Sequence, residues 1–591
     1  MTGIHNLTPE QESFASHVGG AFVNACPGAG KTRTIIARLA RIAATLPSRQ
    51  GIAILSFTNS AVDEFRERCL AAGLDTLLKY PSFMGTLDAF VRHFVVLPSC
   101  AISSQTRPII LDSWDTLGVE IRLSGQFAFR GQPVSLDLFD PETNVIDPDR
   151  IRHAGLQNHV RQHQNRYQQV AANRRRSLLQ AGYMSAGDAR AQTLRLIRDN
   201  VIGESLARAL AARFQEVMVD EGQDCNPLDL QILTWLRAHG VNVTFVCDPD
   251  QAIYEFRNGN PQGIQVFKDT YPIAAQKGLT GNFRSSPAIC QLAATLRREG
   301  QIDRSLGESA DVDYPILLLT YGGRGPTAII GQAFLRRIRE LGLESTKAII
   351  LAHSGKVALQ AAGVTSSIST GNSRIEFLAR KVSEFWSPAA TPRTKENVIQ
   401  SVEILLLDLM GVRQRNEHLV KVIERLGLDR RAHRRCALNF LINLPKTCRD
   451  SDEERLAWIA CVHAEIEKLH LPLPAGVSLR RFFQQPPDAQ WSKHLQVPAA
   501  LSFACGNIHE VKGREYDAVC VVVPPNRAPE NRIEALFESW QARVDAEAKR
   551  VLYVGLTRAR NFVALAIPNA FAGRCVDLLA TGQVPYTRVD L

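Results

Sequence analysis

Two glycines, a lysine and a threonine fall within one short run, Ala25-Cys26-Pro27-Gly28-Ala29-Gly30-Lys31-Thr32. The run follows an apolar triplet at 21–23 and precedes an apolar-periodic stretch at 34–42, the strand–loop–helix setting in which such a loop cradles phosphate. Glycine lets backbone N–H groups converge on phosphate oxygens without a Cβ clash, and the start of a helix adds positive potential. Lys31 can reach the β- and γ-phosphates of a nucleotide, the Thr32 hydroxyl can ligate Mg2+, and Arg33 closes the string of candidate nucleotide contacts. The first motif position is Ala25 where the strict pattern has glycine. A second string, Val217-Met218-Val219-Asp220-Glu221, is an apolar strand ending in two acids. Asp220 would hold Mg2+ through water, and Glu221 would polarise an attacking water as general base. Each string alone also reads more plainly, as a glycine-rich turn with an incidental lysine and as a surface turn after a buried strand. Together they point to nucleotide hydrolysis.

These groups need a scaffold. Short apolar runs at 21–23, 52–57, 217–219, 243–247, 316–319, 348–351, 519–523 and 563–567 alternate with helix-length segments, the signature of parallel α/β architecture. They form two blocks, 1–94 with 186–282 and 283–372 with 496–591, each interrupted by an insertion expected to be mainly helical, 95–185 and 373–495. Between Ile151 and Gly187 there is no acidic residue, while Arg152, Arg161, Arg166, Arg174, Arg175 and Arg176 all lie there. That stretch reads either as a phosphate-holding surface or as a solvated helical face. The cluster Arg430, Arg431, Arg434 and Arg435 in the second insertion reads as a contact for DNA or a protein partner, or equally as surface charge. Ser451 with Glu454 forms a capping-box pattern ahead of a helix at 456–469.

The chain has 591 residues and a net charge of +10 (69 Lys+Arg against 59 Asp+Glu), a balance compatible with a nucleic-acid partner. No apolar run approaches the ~18 residues of a membrane span and the N-terminus lacks a signal-peptide pattern, so a cytoplasmic location with no membrane partner is expected. The 12 cysteines include no C-x-x-C pair, which argues against zinc ribbons and thioredoxin-type redox motifs.

With the order and spacing of further strings, the sequence resembles superfamily 1A helicases of the UvrD/Rep/PcrA type, from Leu7 to Arg560. Leu7-Thr8-Pro9-Glu10-Gln11 is similar to the Q motif, whose glutamine reads the adenine edge; locally the same residues make a capping box, and both roles can coexist. Ser56-Phe57-Thr58-Asn59-Ser60-Ala61 resembles motif Ia, which implies stacking of Phe57 on a base and a DNA contact for Asn59; Phe57 as plain core is the alternative. Gly85-Thr86-Leu87-Asp88-Ala89-Phe90 resembles motif Ib and implies a DNA contact for Thr86, with Asp88 where the family often has histidine. Asp220-Glu221-Gly222-Gln223-Asp224 is similar to motif II in its DExQD form. The run from Asp248 to Arg257 looks like motif III, which implies that Gln251 senses the γ-phosphate and that Tyr254, Phe256 and Arg257 meet DNA; Tyr254 as core packing stays open.

Asn282-Phe283-Arg284-Ser285 resembles motif IV, implying Phe283 stacked on adenine and Arg284 as an arginine finger supplied by the second motor domain. The run from Asn507 to Tyr516 resembles motif V, implying His509 on the DNA backbone and Glu515 on the ribose. The run from Arg550 to Arg560 resembles motif VI, with Arg558 as a second arginine finger.

The resemblance implies two RecA-like motor domains binding ATP and Mg2+. Closing of a cleft on ATP and its reopening after hydrolysis would drive 3′→5′ movement on single-stranded and partly duplex DNA. Any nuclease activity would come from a partner subunit, because only about thirty residues follow motif VI. Compact UvrD-like proteins of anti-phage systems such as Gabija support a second reading, a DNA-stimulated ATPase acting as a sensor or regulatory subunit without processive unwinding.

Overall fold

In this computed structural model the described residues are 6–102, 107–129, 133–151, 153–253, 261–298, 300–323, 325–363, 373–386, 392–413, 419–448, 451–474, 478–484, 491–492, 495, 504–525 and 533–591. The chain divides into two units, Met1–Asp313 with Ser539–Thr557 and Tyr314–Glu538 with Arg558–Leu591.

The first unit is built on six parallel strands: β1 (Phe22–Ala25), β2 (Gly51–Ser56), β3 (Phe83–Thr86), β4 (Phe214–Val219), β5 (Asn242–Cys247) and β6 (Gln276–Leu279), in the order β6-β1-β5-β4-β2-β3. A parallel sheet is covered on both faces, so its strands are apolar throughout rather than alternating. In β4, Val217 and Val219 pack with Phe22, Leu55 and Phe245 on one face, while Met218 packs with Val23, Ile54 and Val246 on the other. All strand C-termini lie on one edge, where ligands of open α/β sheets bind. Helix α1 (Pro9–Ala15) precedes the sheet, α2 (Lys31–Thr45) follows β1 and α3 (Pro287–Leu296) follows β6.

Helix α2 is anchored from within. Arg38 is 1% exposed and grips Glu216 of β4 with two hydrogen bonds, 2.9 Å to Oε1 and 2.8 Å to Oε2, while also donating to the carbonyls of Phe14 and Gly19. Removing one member strands the other's charge in the core. We expect Glu216→Ala to destabilise the first unit by roughly 3–5 kcal/mol in chemical denaturation. An unchanged unfolding midpoint would show that Arg38 finds equal solvation elsewhere.

The first insertion combines helices Ala154–Gln162 and Gln164–Gln180 with two short strand pairs, Ile109–Leu111 beside Tyr183–Ser185 and Glu120–Ile121 beside Val134–Ser135. Its acid-free stretch is not uniformly solvent-facing. Arg174 and Arg176 are exposed, but Arg175 is buried, ion-paired with Asp188 at 2.9 Å and donating to the carbonyls of Leu136, Phe139 and Asp140. Arg175 is therefore a clamp for this insertion rather than part of a phosphate-binding face. Arg161 pairs with Asp149, and the Arg166 guanidinium lies 3.7 Å from the Phe127 ring centroid.

The second unit has its own six parallel strands, β7 (Ile316–Tyr321), β8 (Ala348–Ala352), β9 (Ala504–Asn507), β10 (Tyr516–Val522), β11 (Ala559–Pro568) and β12 (Tyr586–Asp590), in the order β9-β8-β10-β11-β7-β12. The second insertion is helical among the described residues until β9. Helices Arg374–Trp386, Pro392–Leu409, Arg430–Asn443 and Asp452–Glu467 enclose a separate core around Leu406, Phe440, Trp458 and Trp491. Ser451 caps the last of these by accepting from the Glu454 N–H at 3.2 Å, the Ser451 half of the capping box that the sequence indicated. In the arginine cluster, Arg434 pairs with Glu396 at 3.1 Å, and Arg430, Arg431 and Arg435 are exposed.

Thus the architecture is α/β with two large parallel sheets, as in RecA-like motor domains. No helix among the described residues is long and apolar enough to cross a membrane.

Candidate nucleotide-binding site

The loop after β1 turns because Gly28 and Gly30 adopt left-handed backbone conformations, φ +73° and +69°. Gly28 is also sterically obligatory: a Cβ there would lie 2.5 Å from Asn282 Oδ1 and 2.6 Å from Arg284 Cβ. Two loop carbonyls are held from outside, Gly28 O by the Phe283 N–H at 2.8 Å and Ala29 O by Gln11 Nε2 at 2.9 Å. A trans peptide puts its N–H opposite its C=O, so holding Ala29 O aims the Gly30 N–H the other way. Lys31 and Thr32 then open α2, the end of the helix at which backbone N–H groups are left without an intrahelical partner.

At the end of β4 the Asp220 N–H continues the ladder to Leu55 O at 2.9 Å. The Asp220 carboxyl is buried, and its Oδ1 has no hydrogen-bond partner among the described residues. Burial, then the neighbouring Glu221 charge, pushes its pKa up to about 7 against the opposing pull of Lys31. A buried, unpartnered carboxylate oxygen near an ammonium fits a divalent cation. Asp220 and Thr32 are the residues that would hold Mg2+. No larger His/Cys/Asp/Glu cluster suited to a metal occurs among the described residues.

Glu221 adopts φ +55°, a conformation that is costly for a residue with a side chain and is concentrated at functional sites. The next residue has to be glycine, since a Cβ on Gly222 would lie 2.4 Å from the Phe245 ring. Glu221 Oε2 accepts from the Gln223 amide, whose Oε1 accepts from the Asp248 N–H at 3.1 Å. Asp248 Oδ2 in turn accepts from Gln251 Nε2 at 2.7 Å. One continuous relay thus joins the acids after β4 to Gln251 after β5.

Gln11 makes the local capping-box contacts that its spacing indicated. The capping box forms, with Thr8 N–H to Gln11 Oε1 at 3.1 Å and Gln11 N–H to Thr8 Oγ1 at 3.3 Å. The same side chain reaches Ala29 and lies beside Gly30, as does the half-buried Phe283 ring. A carboxamide has two donor hydrogens and two acceptor lone pairs, so these bonds leave one of each for an adenine edge.

Arg284, expected from the second motor domain, lies in the first unit against Gly28, and its Nη1 donates to Thr557 O at 3.0 Å. Asn282 is a structural element of this segment to which the sequence reading gave no role. Its Oδ1 accepts from the Arg284 and Ser285 N–H groups at 2.9 and 3.0 Å and sets their turn. The signal was present, because asparagine followed two and three residues on by bonded N–H groups is a common turn device.

The remaining expected site residues are more dispersed. Phe57 is half-buried against the first unit's core, Thr58 caps the helix Asn59–Ala71, and Asn59 is exposed. The Thr86 hydroxyl caps a helix through the Ala89 N–H at 3.1 Å, and Asp88 pairs with Arg190 at 2.8 Å. Tyr254, Phe256 and Arg257 lie outside the described residues. In the second unit, His509 Nδ1 lies 3.0 Å from Asn507 Oδ1 and its ring is edge-on to His353 at 5.3 Å. Glu515 Oε2 accepts from Arg560 at 2.8 Å, and Arg558 is 2% exposed with its carbonyl accepting from the Tyr516 N–H.

The fold and this edge define a P-loop protein of the nucleotide-binding α/β class, with phosphate loop, buried acid and glutamine relay on one sheet. Residues 7–272 match the UvrD/REP helicase N-terminal domain. The chain is 24% identical over 632 aligned positions to the ATP-dependent DNA helicase UvrD2 of Mycobacterium tuberculosis (strain ATCC 25618 / H37Rv), covering 98% of this chain and 82% of that protein. It is 26% identical to the ATP-dependent DNA helicase PcrA of Bacillus subtilis (strain 168) over 49% of this chain and 39% of that one. It is 24% identical to the ATP-dependent DNA helicase Rep of Escherichia coli (strain K12) over 49% and 43%. The chain is thus similar, over its N-terminal region and at lower identity over nearly its whole length, to UvrD-like DNA helicases.

Proposed function

We propose that the chain hydrolyses ATP to translocate 3′→5′ along single-stranded DNA and to separate strands ahead of it. The observation that carries this reading is the single sheet edge that bears the Gly28–Lys31 loop, buried Asp220 and strained Glu221, with Glu221 linked through Gln223 and Asp248 to Gln251 by hydrogen bonds. Lys31 and the loop N–H groups bind the β- and γ-phosphates, and Arg284 places a guanidinium beside them. Asp220 and Thr32 hold Mg2+, which when bound neutralises phosphate charge. Glu221 takes up the proton of the attacking water, and Gln223 fixes its carboxylate for that task. Phe283 and Gln11 are assigned to adenine, and Arg558 is assigned the second finger by the motif VI resemblance. Phe57, Asn59, Thr86, His509 and the exposed arginines of the first insertion are assigned to DNA.

The test is strand separation on forked duplexes carrying a 3′ or a 5′ single-stranded tail, with ATPase measured on the same DNA. Unwinding confined to the 3′-tailed fork is expected. Unwinding from the 5′ tail would reverse the polarity, and DNA-stimulated hydrolysis without strand separation would leave the sensor reading in its place.

A further inference from the structure

Helix α3 ends at Arg297, and everything its guanidinium touches leads back to the phosphate edge. The side chain is 6% exposed. Its Nε lies 3.2 Å from Asp250 Oδ2 and its Nη1 2.6 Å from Asp303 Oδ1. Asp250 belongs to the turn that carries Gln251; its N–H donates to Asp248 Oδ1 at 3.1 Å. Asp303 precedes the pair Arg304–Ser305, which runs beside Gly281–Asn282, the segment whose Asn282 abuts Gly28. Tyr553, from the helix Glu547–Leu556, closes the ring: its hydroxyl lies 3.4 Å from Asp248 Oδ2, the oxygen that also accepts from Gln251, and its ring centroid is 5.9 Å from the Arg297 guanidinium carbon.

We propose that Arg297 is a positioning residue for ATP hydrolysis, forked between Asp250 and Asp303 so that the Asp248–Gln251 turn and the Asn282 strap are held in fixed register beneath the phosphate loop. This rests on the reading of Gln251 as the group that meets the terminal phosphate. The physical case is one of charge and shape. Three carboxylates, Asp248, Asp250 and Asp303, converge in a buried space, and an uncompensated cluster of that kind would swing outward or protonate. Arg297 stands between them, at the C-terminal, partially negative end of its own helix. A guanidinium bridges two carboxylates because its donors form a rigid planar fork; an ammonium of similar charge cannot span both. The other charged groups facing this cluster are Lys549, Arg298 and Arg550 with Asp545. Arg550 is directed to Ala252 O at 2.6 Å and to Asp545, and Arg298 also pairs with Asp545. Burial, followed by Asp248 for one and opposed by Arg297 for both, pushes Asp250 and Asp303 each up to about 6.

The test is DNA-stimulated ATPase of the full chain as wild type, Arg297→Lys and Arg297→Met, with kcat, KM for ATP and the pH profile of kcat. Arg297→Lys keeps the charge and is expected to lower kcat about three- to tenfold with KM for ATP unchanged and the acid limb in place. Arg297→Met is expected to lower kcat further and to move the acid limb to higher pH, because Asp250 and Asp303 lose the cation that favours their ionised forms. A residue that merely filled space would leave the pH profile where it was. Wild-type kcat in Arg297→Lys, or parallel losses in kcat, KM and thermal midpoint with no pH shift in Arg297→Met, overturns the proposal. A wild-type chain without DNA-stimulated hydrolysis overturns instead the function proposed above.

Discussion

Lys31→Ala is expected to lower DNA-stimulated ATP hydrolysis by at least about 10²–10³-fold, the usual cost of deleting one preorganised group that meets charge developing in a transition state. Lys31 is the residue on which α2 opens directly after the loop, the position from which its ammonium meets the phosphates. Arg284, the guanidinium assigned beside the phosphates, is held by the Thr557 carbonyl and by its place against Gly28 in a position of its own, and does not replace the lysine. The loop should keep its shape, since it is set by the glycine conformations and by the bonds from Phe283 and Gln11. DNA affinity without nucleotide should therefore stay within a few-fold, while ATP turnover disappears. The check is a steady-state ATPase assay beside DNA binding by fluorescence anisotropy. A Lys31→Ala protein turning over ATP at the wild-type rate would falsify the assignment of this loop to phosphate.

What could be read beforehand divides by distance along the chain. The phosphate loop was legible because its requirement is local: two positions need left-handed backbone, and glycine marks them. The strands were legible because a sheet covered on both faces demands uninterrupted apolar runs, which stand out against helical spacing. The two readings of Gln11 did not have to compete, since one carboxamide has donors and acceptors enough for both. Arg175 could not be separated by sequence from Arg174 and Arg176; only the helix's rotation turns one of three consecutive arginines inward onto Asp188. Arg284 was expected from the second domain, yet the Phe283 N–H bond to Gly28 places its segment with the first unit. Glu515 carries a partner, Arg560, that lies 45 residues away, and no spacing rule announces it. Arg297 is the extreme case, because the groups that give it meaning are at 250, 303 and 553 and meet only after the sheet has formed.

Asp220→Asn is expected to abolish hydrolysis and yet make the nucleotide-free protein more stable at pH 8. The carboxyl sits in the core with an unpartnered oxygen, and burial together with Glu221 lifts its pKa from 3.8 to about 7. An acid whose folded pKa lies above its unfolded value binds more protons folded than unfolded in the window between them. Stability is therefore lost as pH rises from about 4 to about 7, and the loss is complete above that window. At pH 8 the ionised Asp220 costs on the order of 2–4 kcal/mol, a strain that makes sense only if a cation compensates it during function. Asparagine has nearly the same shape and no charge, so most of that cost should vanish. Below about pH 4, where both states are protonated, the gain should vanish too. Adding Mg2+ with a non-hydrolysable ATP analogue should narrow the difference at pH 8, because the wild-type carboxylate then has the partner that the amide cannot hold. Thermal unfolding of both proteins from pH 4 to pH 8, with and without that ligand, checks all three statements. Equal midpoints at every pH would mean that Asp220 is already neutralised in the resting protein and that its burial stores nothing for metal binding.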